Sequence, residues 1–158
     1  MKKFMDWRLA VSILACEAVG ASGSLFTTPA IPEWYANLAK PDLAPPNWIF
    51  APVWTALFAL MGVALFLVWR EKTSLKKVRA ALFAFFLQFL LNVAWSAIFF
   101  GLRLPGWAFA EIIFLLAAII LTIVLFRRVS RAAAWLLIPY LAWVGFASYL
   151  NLMIWRLN

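Results

Sequence analysis

Histidine is missing from all 158 residues, and cysteine occurs once. The first absence removes the commonest metal ligand, the usual axial ligand of haem iron and the usual general base at neutral pH. The second rules out an internal disulfide and leaves the redox compartment unreadable. Acidic residues are scarce, six against fourteen Lys and Arg, for a net charge of +8. No glycine-rich phosphate loop, run of metal ligands or nucleophile elbow interrupts the chain. Paired acid and base residues close in sequence are also lacking. The sequence therefore offers no catalytic residue and no metal site.

Apolar residues fill the space these absences leave. They make up 67% of the chain, and mean hydropathy is +0.95. A soluble domain of this length has no use for so much apolar surface, so the physical class is a polytopic membrane protein. Hydrophobic runs predict five spans, at about 9–26, 48–69, 80–101, 107–126 and 134–155. At ~1.5 Å per residue, each is long enough to cross the hydrocarbon layer. The fold class is an all-α bundle of five transmembrane helices forming a single domain. The Lys-Lys start and Cys16 give the first run a faint likeness to a secretion signal, but the bulky Leu14 and the interrupting Glu17 favour an uncleaved span. Pro29, Pro32, Pro41, Pro45 and Pro46 predict a break in helix between Thr27 and Pro46, with one short turn within Glu33–Ala39.

In a membrane chain, the cations report topology. Eleven of the fourteen lie on the N-terminal side, between Lys2 and Arg131; Lys40, Arg103 and Arg156 lie on the other. The positive-inside rule places the N-terminus in the cytoplasm and the C-terminus outside, in a bacterial inner membrane. It also removes nucleic acid as the reason for the positive charge. Trp7, Trp48, Trp69, Trp107, Trp135 and Trp155 fall at span ends, as interfacial anchors do.

Three spans carry stripes at helical spacing. Phe50, Trp54 and Phe58 are four apart. Gln88, Asn92, Trp95 and Phe99 share one face of the third span, and Pro139, Trp143, Ala147 and Asn151 share one face of the fifth. Mid-span amides are costly against lipid, so Gln88, Asn92 and Asn151 should face the bundle interior. If Trp54, Trp95 and Trp143 share that interior, they wall a pocket for a flat apolar ligand; plain helix packing explains the same spacing. Glu17 and Glu111 are intramembrane carboxylates, candidates for proton or cation handling, although Glu111 lies close enough to Trp107 to reach the headgroups. Ala80, Ala81 and Ala84 offer a small-residue face for a second copy of the chain.

Four blocks occur in order along almost the whole chain: W-Y-A-N-L-A-K-P, P-P-N-W-I-F-A-P-V-W-T-A-L-F, L-N-V-A-W-S-A-I-F-F-G and I-P-Y-L-A-W-V-G-F-A-S-Y-L-N. In these blocks the chain resembles the translocator protein family, TspO/MBR, also called tryptophan-rich sensory proteins or peripheral-type benzodiazepine receptors. The resemblance implies a bundle that dimerises and a pocket under the first loop, with Tyr35, Pro45, Phe50, Trp54, Asn92, Trp95, Trp143 and Ala147 as ligand-binding residues. Tyr35 would belong to a lid, Trp54 and Trp143 would stack on the ligand, and Asn92 would hydrogen-bond a ligand carbonyl or carboxylate. The implied ligands are porphyrins, including protoporphyrin IX and haem, together with isoquinoline carboxamides and benzodiazepines. Porphyrin enters as ligand, and no cofactor is required. The implied role is a receptor or sensor in tetrapyrrole or stress control. Light-dependent porphyrin degradation and transport of small apolar solutes are the alternatives. The expected partners are membrane lipid, a porphyrin-like small molecule and a second copy of the chain. Two departures bear on the ligand. The sterol motif of animal relatives has a Tyr near the end of the fifth span, and this chain has Leu152-Met153 in that run. Without histidine, a metal-free tetrapyrrole held by stacking fits better than ligated haem.

Overall fold

The computed structural model describes residues 6–158; Lys2 and Lys3 of the topology count lie outside them. The described chain forms helices α1 (Trp7–Glu33), α2 (Phe50–Arg70), α3 (Leu75–Ser96), α4 (Pro105–Arg127), α5 (Arg131–Leu136) and α6 (Ile138–Leu157). Five segments are long and apolar enough to cross a membrane, α5 and α6 together making the fifth. The bundle is all-helical, as its hydrophobic runs predict.

Successive spans run in opposite directions. Trp7 at the start of α1 meets Trp69 at the end of α2, edge to face at 5.9 Å, and the Arg8 guanidinium lies over both rings. At the other end, Asn158 just past α6 reaches the loop after α1, and Arg103 before α4 reaches Glu33. The main packing pairs are α1 with α2, α3 with α4, and α4 with α6. All six Trp at span ends are exposed, as interfacial anchoring requires.

Three helix boundaries differ from the sequence expectation, one of them the start of α3 at Leu75, five residues before the hydrophobic run. α1 continues through Pro29 and Pro32 to Glu33 instead of ending near Phe26. Both prolines sit on an exposed face, so their rings and the carbonyls they leave without donors turn outward, away from the packing surface. The fifth span, expected to be continuous, breaks at Leu137 because Pro139 in the first turn of α6 has no N–H to carry the ladder back into α5. The predicted short turn is present as a 3₁₀ turn, Tyr35–Asn37, with a second one, Asn47–Ile49, leading into α2.

Past Ser96, α3 widens into a π-helical turn, Ala97–Gly101. It is closed by Leu102 N–H to Ala97 carbonyl (2.8 Å) and Leu104 N–H to Ile98 carbonyl (3.1 Å). Arg103 between them takes a left-handed φ of 58°, which carries a steric penalty for a residue with a Cβ. That geometry lets α4 start at once, with Pro105 in its first turn, where a missing N–H costs nothing.

Lipid tails are as apolar as leucine, so helices in a bilayer are held by close contact and hydrogen bonds rather than by escape from water. Gly62 shows how close the contact is. A Cβ there would stand 2.5 Å from the Ile13 Cα and 2.9 Å from its nitrogen. Ala81 and Ala84 are likewise fully packed inside the bundle. Only Ala80 of the predicted dimer face is exposed, so that small-residue stripe joins helices of one chain and is not free for a second copy.

Gly62→Ala should therefore lower stability by about 1–3 kcal/mol, the usual cost of overpacking, because backbone cannot step aside as a side chain can. Gly145→Ala, with nothing within 4 Å of the added methyl, should leave the midpoint unchanged or raise it. Thermal unfolding of both variants in mild detergent, followed by circular dichroism, tests the contrast.

Candidate functional site

Between α1, α2, α3 and α6 lies a cavity of about 340 Å³. α2 contributes Phe50, Trp54 and Phe58, the stripe predicted from spacing. α3 contributes Asn92 and Trp95, and α6 contributes Trp143 and Ala147. The rings brace one another: Trp54 stacks on Phe58 at 5.6 Å, and Phe50 meets Trp143 edge to face at 6.1 Å. Six of the eight candidate ligand-binding residues thus share one cavity wall.

Two do not. Tyr35 lies buried beneath the loop, behind the wall, against Phe50, Phe99 and Phe100 at ring separations of 6.1, 6.4 and 5.8 Å. Burial pushes its phenol pKa above the ordinary value, so the ring stays uncharged. Lys40 folds back over that ring at 4.9 Å and donates to the carbonyls of Tyr35, Leu38 and Ala36 at 2.7, 3.0 and 3.2 Å. Pro45 is half-buried in the loop and does not border the cavity.

Phe99 departs from its stripe for a structural reason. A regular helix would put it on the cavity face with Asn92 and Trp95. The π-turn inserts extra arc, so Phe100 lines the cavity instead. Phe99 stands behind, stacked on Trp95 at 5.2 Å.

Three mid-span amides organise the polar part, and all are buried as the cost of placing them against lipid predicts. The Tyr140 hydroxyl donates to Gln88 Oε1 at 2.7 Å and accepts from Asn92 Nδ2 at 3.0 Å. Trp95 Nε1 donates to Asn151 Oδ1 at 2.9 Å, while Asn151 Nδ2 donates to the Pro105 carbonyl at 2.7 Å. These bonds tie α3 to α6 and α6 to α4. They also fix the Asn92 amide: with the Tyr140 proton committed to Gln88, Asn92 must offer Tyr140 a nitrogen. Its oxygen has no protein donor among the described residues. Asn92 therefore presents an acceptor to the cavity, as well as its remaining N–H.

The α1 wall is what sequence reasoning missed. Glu17, Gly20, Ala21, Gly23, Ser24, Thr27, Thr28 and Ile31 all border the cavity. Their recurrence at three- and four-residue steps is legible in the sequence, but small residues at that spacing carry no sign of a ligand. Gly20 has a specific use: a Cβ there would fall 2.5 Å from the Phe58 ring, so only glycine lets that ring lie flat in the wall. Ala21, Ser24 and Thr28 of α1 and Ala51 and Thr55 of α2 border the cavity yet are exposed. The cavity accordingly opens sideways between α1 and α2. Glu111 lies elsewhere, and both its carboxyl oxygens are sealed from solvent without a hydrogen-bond partner among the described residues. It does not reach the headgroups.

The loop after α1 is latched over this end of the bundle. Ala39 N–H donates to Asn158 Oδ1, and Asn158 Nδ2 donates to the Ala39 carbonyl, each at 3.0 Å. Trp34 adds an edge-to-face contact on Phe99 at 5.5 Å.

Comparison with known proteins follows the same lines. A model of the TspO/MBR family matches residues 12–156. The chain is 45% identical to the tryptophan-rich protein TspO of Chlorobaculum tepidum, over 95% of each sequence. It is 39% identical to the human translocator protein, over 96% of this chain and 91% of the other. It is 34% identical to the tryptophan-rich sensory protein of Cereibacter sphaeroides, over 98% and 94%.

Asn158→Ala removes both loop bonds. Both are exposed, so the expected effect is modest: amide exchange at Ala39 should speed up about three- to tenfold, with exchange in the middle of α3 unchanged. Hydrogen–deuterium exchange in detergent measures both sites.

Proposed function

The chain belongs to the TspO/MBR family, and from that premise we propose that it is a membrane receptor or sensor that binds flat, largely apolar aromatic ligands in the cavity between α1, α2, α3 and α6. Porphyrins, protoporphyrin IX first among them, are the expected class; benzodiazepine- and isoquinoline-carboxamide-type molecules are the expected synthetic counterparts. The reading rests on one observation above the others: six aromatic side chains, Phe50, Trp54, Phe58, Trp95, Phe100 and Trp143, converge with two amides, Asn47 and Asn92, on one cavity. That is the make-up of a small-molecule pocket, mostly apolar with few polar groups to set orientation. Its volume is near the lower end for such pockets, and the side opening between α1 and α2 leaves room for the rim of a macrocycle.

The lack of histidine in the chain favours a metal-free tetrapyrrole held by stacking over ligated haem. The distribution of Lys and Arg supports a cytoplasmic N-terminus and a bacterial inner membrane, with the latched loop facing outward. A ligand would then meet the protein from the outer leaflet or the outer face. A homodimer remains part of the proposal, formed through a face other than Ala81 and Ala84.

Titration of the purified protein with protoporphyrin IX in the dark, following tryptophan fluorescence, tests the pocket. Saturable quenching at micromolar concentration is expected, weakened at least tenfold in a Trp54→Ala/Trp143→Ala double variant, because stacking on each ring contributes on the order of 1 kcal/mol. Equal affinity in the two proteins would return the aromatic stripes to plain helix packing. Illumination of the complex then asks whether a covalently altered porphyrin appears, the outcome that would make the protein an enzyme.

A further inference from the structure

Three hydroxyls on the α1 and α2 walls of the cavity act only as acceptors towards it. Ser24, Thr27 and Thr55 border it, and each spends its hydroxyl proton on its own helix, donating to the carbonyls of Ala21, Gly23 and Ala51 at 2.7, 3.3 and 2.9 Å. What they show the cavity is oxygen lone pairs. The Asn92 oxygen is a further acceptor without a protein donor. Glu17 is the one ionisable side chain on the wall. It lies ten residues into α1, so about 15 Å from the start of the helix, at the end of the cavity away from the loop and close to Phe58.

Nothing among the described residues answers the Glu17 carboxylate. Among the described residues the one ion pair is Arg103 with Glu33 at 3.7 Å, and no described side chain or backbone N–H outside its helix donates to Glu17. Its oxygens are not sealed in packing as those of Glu111 are, and the residue borders the cavity. A single carboxylate does not make a metal site: no cluster of metal-ligating side chains exists among the described residues, and a hard cation needs several such oxygens. Carboxylates at membrane depth are otherwise costly and are found paired.

We propose that Glu17 supplies the specificity of this cavity: it selects aromatic ligands that bring a cationic ammonium or a strong N–H donor to the α1 side. Asn92 and the α1 and α2 hydroxyls act as auxiliary acceptors. A ligand with its own carboxylates must turn them away from α1, towards the loop end that carries Lys40, Arg103 and Arg156. This rests on the cavity being a ligand site, and it adds which end of the ligand points inward and what charge that end carries.

Three porphyrins of one ring system separate the two ideas: protoporphyrin IX with its two carboxylates, its neutral dimethyl ester, and a derivative carrying alkylammonium groups in their place. Each is titrated in the dark by tryptophan quenching against wild type, Glu17→Gln and Glu17→Asp in the same detergent. Wild type should hold the ammonium porphyrin about tenfold or more tighter than the ester, as hydrogen bonds to a charged group require. The preference should fall to near unity in Glu17→Gln and persist in Glu17→Asp. An equal preference in wild type and Glu17→Gln overturns the assignment, and so does the absence of any preference in wild type, a comparison that does not depend on either variant folding. Saturable binding of all three porphyrins without charge preference overturns the role of Glu17 alone. No saturable binding of any of them overturns the cavity reading as well.

Discussion

A polar group in a bilayer has no water to fall back on, and the pairing of the few polar groups inside this bundle governs the rest of the structure. Tyr140 holds Gln88 and Asn92 on α3, while Asn151 holds Trp95 on α3 and the Pro105 carbonyl at the head of α4. Each is an interhelical bond between specific atoms, so rotating or sliding α3 or α6 would break at least three of them. Apolar contact alone sets no such register, because lipid offers nearly equivalent contact to every apolar side chain. The bonds also aim Trp95 and Asn92 at the cavity, so one set of interactions holds the bundle together and builds the wall of the site.

Around that polar spine the structure trades close packing for space. Glycine and alanine bring α1 onto α2 at Gly62 and seat α3 within the bundle at Ala81 and Ala84. Higher up, the same kind of small residue on α1 does the opposite. Ala21, Gly23 and Ser24 leave room that large side chains would fill, and the aromatic rings of α2, α3 and α6 face that room. The loop after α1 closes one end through Tyr35 packing, Lys40 capping and the two bonds to Asn158, and the side between α1 and α2 stays open.

Much of the cavity wall was legible in the sequence because two simple rules point to it. Period-four spacing put Phe50, Trp54 and Phe58 on one face, and the cost of a mid-membrane amide put Gln88, Asn92 and Asn151 inside. Other parts were not legible. Phe100 in place of Phe99 depends on the π-turn, which adds a residue to one helical turn and which no spacing rule anticipates. Tyr35, read as a lid residue, does lie on the loop but packs behind the cavity wall, since what a loop tyrosine faces depends on where Phe50, Phe99 and Phe100 stand. Ala81 and Ala84 looked like an outer face because a small-residue stripe has the same pattern whether its neighbour is in the same chain or in another.

By itself, the sequence determined the class of the molecule, its five spans and the list of polar groups that had to be hidden, because hydrophobic length and the cost of burying an amide are properties of residues taken one at a time. Tertiary structure alone decided which groups meet. Tyr140 as the hinge of the amide network, the cavity face of α1, the passage of α1 through Pro29 and Pro32, and the placing of Glu17 on the cavity wall all depend on the relative rotation of neighbouring helices. That rotation is set by contacts among residues as far apart in the chain as Trp95 and Asn151, and no local pattern encodes it.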